Sequence, residues 1–111
     1  MNTKKAREDC RIPVRFRGKW YQSDFRSPLL ISETSFERKG DCIKRGSQDK
    51  FLFRYEKNRS NCWRCIILIL QHKNVLQYKE SPCLPGTDMD LSKACNMMYG
   101  DSPLIYLFRG K

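Results

Sequence analysis

Six cysteines stand in a chain of 111 residues, at Cys10, Cys42, Cys62, Cys65, Cys83 and Cys95. Thiols in that number offer three kinds of chemistry: disulfide staples, a metal cage, or thiol–disulfide exchange. Their spacing separates the three. Cys62-Trp63-Arg64-Cys65 has the gap of a redox pair, but such a pair works with its first thiol at a helix N-terminus, which lowers the thiol pKa. Here Ile66-Ile67-Leu68-Ile69-Leu70 follows, a strand-type run. Residues three apart on a strand face opposite ways, so Cys62 and Cys65 are not expected to join each other. A zinc ribbon needs a second close pair, which Cys83 and Cys95 do not supply. The expectation is up to three structural disulfides, with no metal and no cofactor. Six cysteines allow many connectivities; the one adopted is Cys42–Cys62, Cys10–Cys65 and Cys83–Cys95, the last tying a helix to the loop before it. An even count in a small chain points to an oxidising compartment.

Other reactive groups are sparse. His72 is the sole histidine and falls in a turn, with no nucleophile elbow near it. The acids are not paired for acid–base work. No enzyme is expected. Asn58-Arg59-Ser60 satisfies the N-glycosylation rule in a polar turn, so Asn58 is a candidate glycan site. Arg15, Arg17 and Lys19 recur at period two, which on a strand makes a one-sided basic row able to hold sulfated glycan or phosphate. Lys4, Lys5, Arg7 and Arg11 precede them. Lys and Arg total 22 against 12 acids, a net charge of +10, which also suits polyanions. Nucleic acid is disfavoured, because no recognition helix, RNP-type motif or zinc finger is present.

These side chains need elements to carry them. Residues 1–9 read as a solvated basic arm, and residues 10–111 as a single cysteine-rich domain. Val14–Trp20 alternates, with Val14, Phe16, Gly18 and Trp20 against the basic row, and predicts a half-buried strand. Further strands are expected over Leu29–Phe36, around Cys42 between Gly40 and Gly46, over residues 51–57, over Cys62–Gln71 and over Val75–Glu80. The Cys62–Gln71 strand is apolar on both faces and therefore central. Thr87 is placed to cap a helix over Met89–Tyr99, stopped by Gly100, with Leu91, Ala94, Cys95 and Met98 as its buried stripe. Pro103–Arg109 is the last strand. Short strands with short turns predict a mainly β fold: a small antiparallel meander barrel, one C-terminal helix, stapled by disulfides.

Gly18-Lys19-Trp20-Tyr21 on the first strand resembles the lipocalin and calycin signature, in which the tryptophan plugs one end of a barrel. A wider series covers more of the chain. It runs Cys10-Arg11-Ile12-Pro13, Phe16-Arg17-Gly18-Lys19-Trp20-Tyr21-Gln22-Ser23, Lys39-Gly40-Asp41-Cys42 and Asp49-Lys50-Phe51-Leu52. It continues through Cys62-Trp63-Arg64-Cys65, His72–Glu80, Cys83, Gly100-Asp101 and Leu104–Arg109. This order resembles a cysteine-rich domain of unknown function from secreted or membrane-anchored proteins of insects and other invertebrates, most specifically over Asn74–Glu80. The resemblance implies an extracellular module without catalytic residues.

The function expected is a non-catalytic binding or interaction module at the cell surface or outside the cell. Two alternatives stand beside it. One is a lipocalin-type carrier of a small apolar ligand, lined by Phe16, Trp20, Phe51, Phe53 and Tyr78. The other is a heparin or polyanion binder using Arg15, Arg17 and Lys19. The longest apolar run is too short to cross a bilayer. Met1–Asp9 lacks the apolar core of a signal peptide, so the sequence is expected to be a fragment, or a mis-started gene model, of a secreted or surface protein rather than a cytosolic chain with reduced thiols.

Overall fold

The structure, a computed structural model, describes residues 10–23, 26–98, 100 and 102–109. Among the described residues there are nine strands: β1 Gly18–Tyr21, β2 Leu29–Ile31, β3 Ser35–Phe36, β4 Gly40–Arg45, β5 Lys50–Lys57, β6 Ser60–His72, β7 Val75–Glu80, β8 Leu84–Pro85 and β9 Ile105–Arg109. A short helix, α1, spans Leu91–Asn96, and a 3-10 turn spans Val14–Phe16.

Strands β1 to β7 form an antiparallel meander. A seven-strand meander ends with its last strand parallel to its first, so the two cannot pair antiparallel. The chain solves this through its final strand. After β8 and α1 it returns as β9, which runs antiparallel to both neighbours and fills the gap between β7 and β1. The result is a closed eight-stranded antiparallel barrel, the expected fold class. Closure removes the open edges that invite aggregation.

β6 is the longest strand and serves three partners. It pairs with β5 along one side, with β7 over Ile66–His72, and with β8 at Cys62 and Trp63. Its two apolar faces have separate uses. Ile66 and Leu68 point into the barrel with Phe51, Phe53, Leu76, Tyr78 and Leu107. Trp63, Cys65 and Ile67 point outward with Leu52 and are covered by Leu91, Ala94, Cys95 and Met98 of the helix region. The predicted helical stripe is therefore the one that packs. At six residues α1 is too short to persist alone. The second core and a disulfide from Cys95 hold it.

Three expectations need correction. Val14–Trp20 is not one strand. Phe16 N–H bonds to Pro13 O and Arg17 N–H to Val14 O, each at 3.0 Å, so the chain turns before β1 begins. Gly18, at φ +127°, marks the change of direction. Leu29–Phe36 is two strands, because the Ser32 hydroxyl accepts from the Thr34 and Ser35 amides and folds a turn. The helix starts at Leu91, with extended Asp90 and not Thr87 at its cap, and ends at Asn96. Tyr99, placed in the predicted helix, and the arm at 1–9 lie outside the described residues.

The disulfides join Cys10–Cys42, Cys62–Cys83 and Cys65–Cys95, with Cα separations of 5.7, 5.2 and 5.0 Å. Cys42–Cys62, Cys10–Cys65 and Cys83–Cys95 are thus each replaced by another pairing. The physical cause is facing. Cys42 lies opposite Phe53 and shares the interior cluster with Cys10. Cys65 turns outward beneath α1 and meets Cys95, while Cys62 meets the segment that carries β8. Cys62 and Cys65 do point apart, as their spacing requires.

Candidate functional site

The barrel interior brings together every side chain predicted to line a ligand. Phe16, Trp20, Phe51, Phe53 and Tyr78 are all fully buried. They contact one another or a shared neighbour. Phe16 meets Phe51 edge-on at 6.4 Å, Phe51 lies 6.3 Å from Phe53, and Phe36 bridges Phe53 and Tyr78 at 5.9 and 5.3 Å. Three of these are favourable edge-to-face arrangements and Phe51–Phe53 is tilted, and together they occupy surface a ligand would use.

One end is closed around Trp20. Its indole N–H donates to Phe16 O at 2.9 Å, fastening β1 to the 3-10 turn. The Arg109 guanidinium lies 4.1 Å from the Trp20 ring centroid, a cation–π contact. The same guanidinium donates to Arg17 O at 2.8 Å, Lys73 O at 3.0 Å and Arg15 O at 3.4 Å. One side chain from the last strand thereby joins the entry turn, β1 and the β6–β7 turn. Arg15 and Phe16 add a second cation–π pair at 4.5 Å nearby.

A polar cluster lies further along the interior. Glu80 accepts from Lys39 Nζ at 2.9 Å and from Arg64 Nη1 at 3.2 Å, and all three are largely shielded. Lys39 Nζ also lies 5.5 Å above the Tyr78 ring. Tyr78 donates its hydroxyl to Gln22 Oε1. Burial pushes the Tyr78 phenol well above its ordinary pKa; the Glu80 carboxylate adds to this and Arg64 opposes it. Two cations thus share one carboxylate, and the cluster carries one positive charge in excess.

The proposed basic row does not form. Arg15 sits on the 3-10 turn and pairs with Asp49 at 3.0 Å. Arg17 turns its Nε–H onto Ile12 O at 2.8 Å. Lys19 alone projects outward from β1. Asn58 lies exposed at the tip of the β5–β6 hairpin, where Asn58 and Arg59 take φ of 54° and 66°. Two positive-φ residues are what a tight hairpin of this twist demands, and Asn tolerates the position. None of the six cysteines is free. Among the described residues, no group of three His, Cys, Asp or Glu side chains is placed to hold a metal ion.

A surface that the sequence reading overlooked lies on the outer face of β1, β9, β7 and the second half of β6. Tyr21 stands directly opposite Phe108, and Phe108 opposite Val75. One step along, Tyr106 stands opposite Gln77, and Gln77 opposite Ile69. Tyr21, Tyr106, Phe108 and Ile69 are 40%, 45%, 46% and 37% exposed. Gln71 Nε2–H donates to Gln77 Oε1 at 2.7 Å beneath them. The signal was present in Ile105–Arg109, where the outward positions of a closing strand are aromatic instead of polar.

A family model described as a domain of unknown function (DUF7044) matches residues 8–99. The chain belongs to this family. The match takes in eight of the nine strands, all six cysteines and α1; β9 lies beyond it. No curated protein and no solved structure matches the chain. The DUF7044 match extends over the interior rings and the Lys39–Arg64–Glu80 cluster, whereas Arg109, Tyr106 and Phe108 come from the closing strand.

Proposed function

We propose that this DUF7044 domain is a non-catalytic binding module of the cell exterior, using its barrel as a rigid support and the β1–β9–β7 face as its contact surface. The observation that carries the reading is the set of neighbouring, outward aromatic side chains Tyr21, Tyr106 and Phe108. Aromatic residues are enriched at protein contact surfaces, whereas ordinary outward strand positions are polar. Three bridges favour an oxidising compartment. Exposed Asn58 accepts an N-linked glycan on the hairpin tip, a different element from the aromatic strands. No helix among the described residues is long and apolar enough to cross a membrane.

The lipocalin-type carrier is the weaker reading. Four of the five candidate lining residues, Phe16, Phe51, Phe53 and Tyr78, are engaged with other rings, and Trp20 is held by the Arg109 guanidinium and the Phe16 carbonyl. The polyanion reading loses its row, because Arg15 and Arg17 are committed elsewhere. The test is retention of secreted, tagged domain on intact cell surfaces. The wild type is retained and a Tyr106→Ser/Phe108→Ser variant with the same melting curve is not. Equal retention of the two overturns the reading.

A further inference from the structure

We propose that the outward face of β1, β9, β7 and the second half of β6 docks a partner protein whose contact surface is apolar at its centre and acidic at its rim. This rests on the binding-module reading above and names the chemistry of the partner.

Charge decides first. Across Gly18–Tyr21, Ile105–Arg109, Val75–Glu80 and Ile67–His72 there is one acidic residue, Glu80. It points inward and is bound to Lys39 and Arg64. The outward positions carry Lys19 and Lys79, and Lys73 is exposed on the β6–β7 turn. Within these four strands the aromatic centre is therefore bordered by lysines and by no outward carboxylate; on the adjoining β2–β3 hairpin the Glu37 carboxylate is engaged by the Leu30 amide opposite Lys19. A second copy of the same face would bring like charges together on a chain of net charge +10, which disfavours a self-dimer. An acidic rim meets the lysines and steers encounter.

The apolar side chains decide second. A sugar chain is held by ring stacking and by polar groups. Ile69 and Val75 offer neither, yet they lie in the same cross-strand rows as Tyr106 and Phe108. Mixed aliphatic and aromatic contact belongs to protein interfaces, where aromatic anchors dominate the energy. A sulfated glycan would need a denser basic array than three lysines. The part-buried Gln71–Gln77 bond stiffens the platform, so less ordering is needed on contact.

The test uses three immobilised probes: a random glutamate–tyrosine copolymer, polyglutamate and heparin, at about 0.15 M salt. The domain binds the copolymer about tenfold more tightly than polyglutamate or heparin. Tyr21→Ser/Tyr106→Ser/Phe108→Ser lowers copolymer binding about tenfold or more, and Lys19→Ser/Lys79→Ser reduces its salt dependence. Phe108→Ser alone shows a smaller loss and guards against a folding defect in the triple variant. Heparin as the preferred probe, or copolymer binding that ignores the triple variant, overturns the proposal. So does a concentration-dependent dimer abolished by that variant. Free thiols in the secreted protein would instead remove the extracellular reading and leave the copolymer result standing.

Discussion

Arg109 shows how much one side chain can carry. It stacks on Trp20 and donates to three backbone carbonyls, two on the entry turn and one on the β6–β7 turn. Arg109→Ala is expected to cost about 2–3 kcal/mol in denaturant unfolding, since charged hydrogen bonds and a shielded cation–π contact are lost together. Arg109→Lys recovers little of it, because an ammonium lacks the planar fork. A loss below about 0.5 kcal/mol, the level of an ordinary surface substitution, would show that the clasp is incidental. Tyr78 gives a pH prediction. Its folded pKa is raised, so the stability it contributes is fully present below the unfolded value of 10.0 and declines as pH rises above it. Alkaline unfolding followed by fluorescence should show a fall in stability above that value, and Tyr78→Phe should make the fall shallower. Sequence told which cysteines could not pair together, because facing on a strand follows from spacing alone. It could not tell which ones do pair. That depends on β6 turning Cys65 toward α1 while Cys62 runs past the barrel to the β8 segment.

At the scale of elements, turns and caps do the fixing. Gly40 opens β4 at φ +117°, and a Cβ there would run into the backbone carbonyl of Arg54. Gly40→Ala is predicted to destabilise the fold by about 2–3 kcal/mol, through positive φ and steric conflict together. Thermal unfolding reads this directly, and an unchanged midpoint would refute the β4–β5 geometry. The helix depends on its bridge. Cys65→Ala/Cys95→Ala opens a loop of sequence separation 30 and should cost about 3–4 kcal/mol. Hydrogen exchange should accelerate first in Leu91–Asn96, while β5 to β7 stay protected. Uniform acceleration would mean that α1 and the barrel unfold as one. β5 and β7 were legible from alternation, β6 from its apolar β-branched run, and β4 from the glycines Gly40 and Gly46 that bound it. Two elements were not. The entry segment alternates like a strand, yet Pro13 and Gly18 bend it into a 3-10 turn. Ser32 breaks the next strand by bonding its own backbone, a choice that alternation does not register.

For the whole molecule, closure is the organising fact. The meander alone leaves β1 and β7 unpaired and parallel, and only β9 can join them. Barrel class was readable from short, closely spaced strands followed by a helix and one more strand. The place of β9 was not, since sequence order says nothing about which gap a returning strand fills. The contact face was missed for the same reason. Tyr21, Tyr106 and Phe108 are distant in sequence and become neighbours only when the barrel closes. Deleting residues 105–111 should therefore open the barrel, lowering stability and exposing surface that binds a hydrophobic dye. A truncated chain with native melting behaviour would contradict this topology.

The central claim is a barrel closed by β9 and stapled by Cys10–Cys42, Cys62–Cys83 and Cys65–Cys95. Peptide mapping of the unreduced protein by mass spectrometry tests it most directly. The account predicts three cross-linked peptides with these pairings and an intact mass lower than the reduced form by six hydrogens. Reduced thiols, a metal adduct or any other pairing would contradict it.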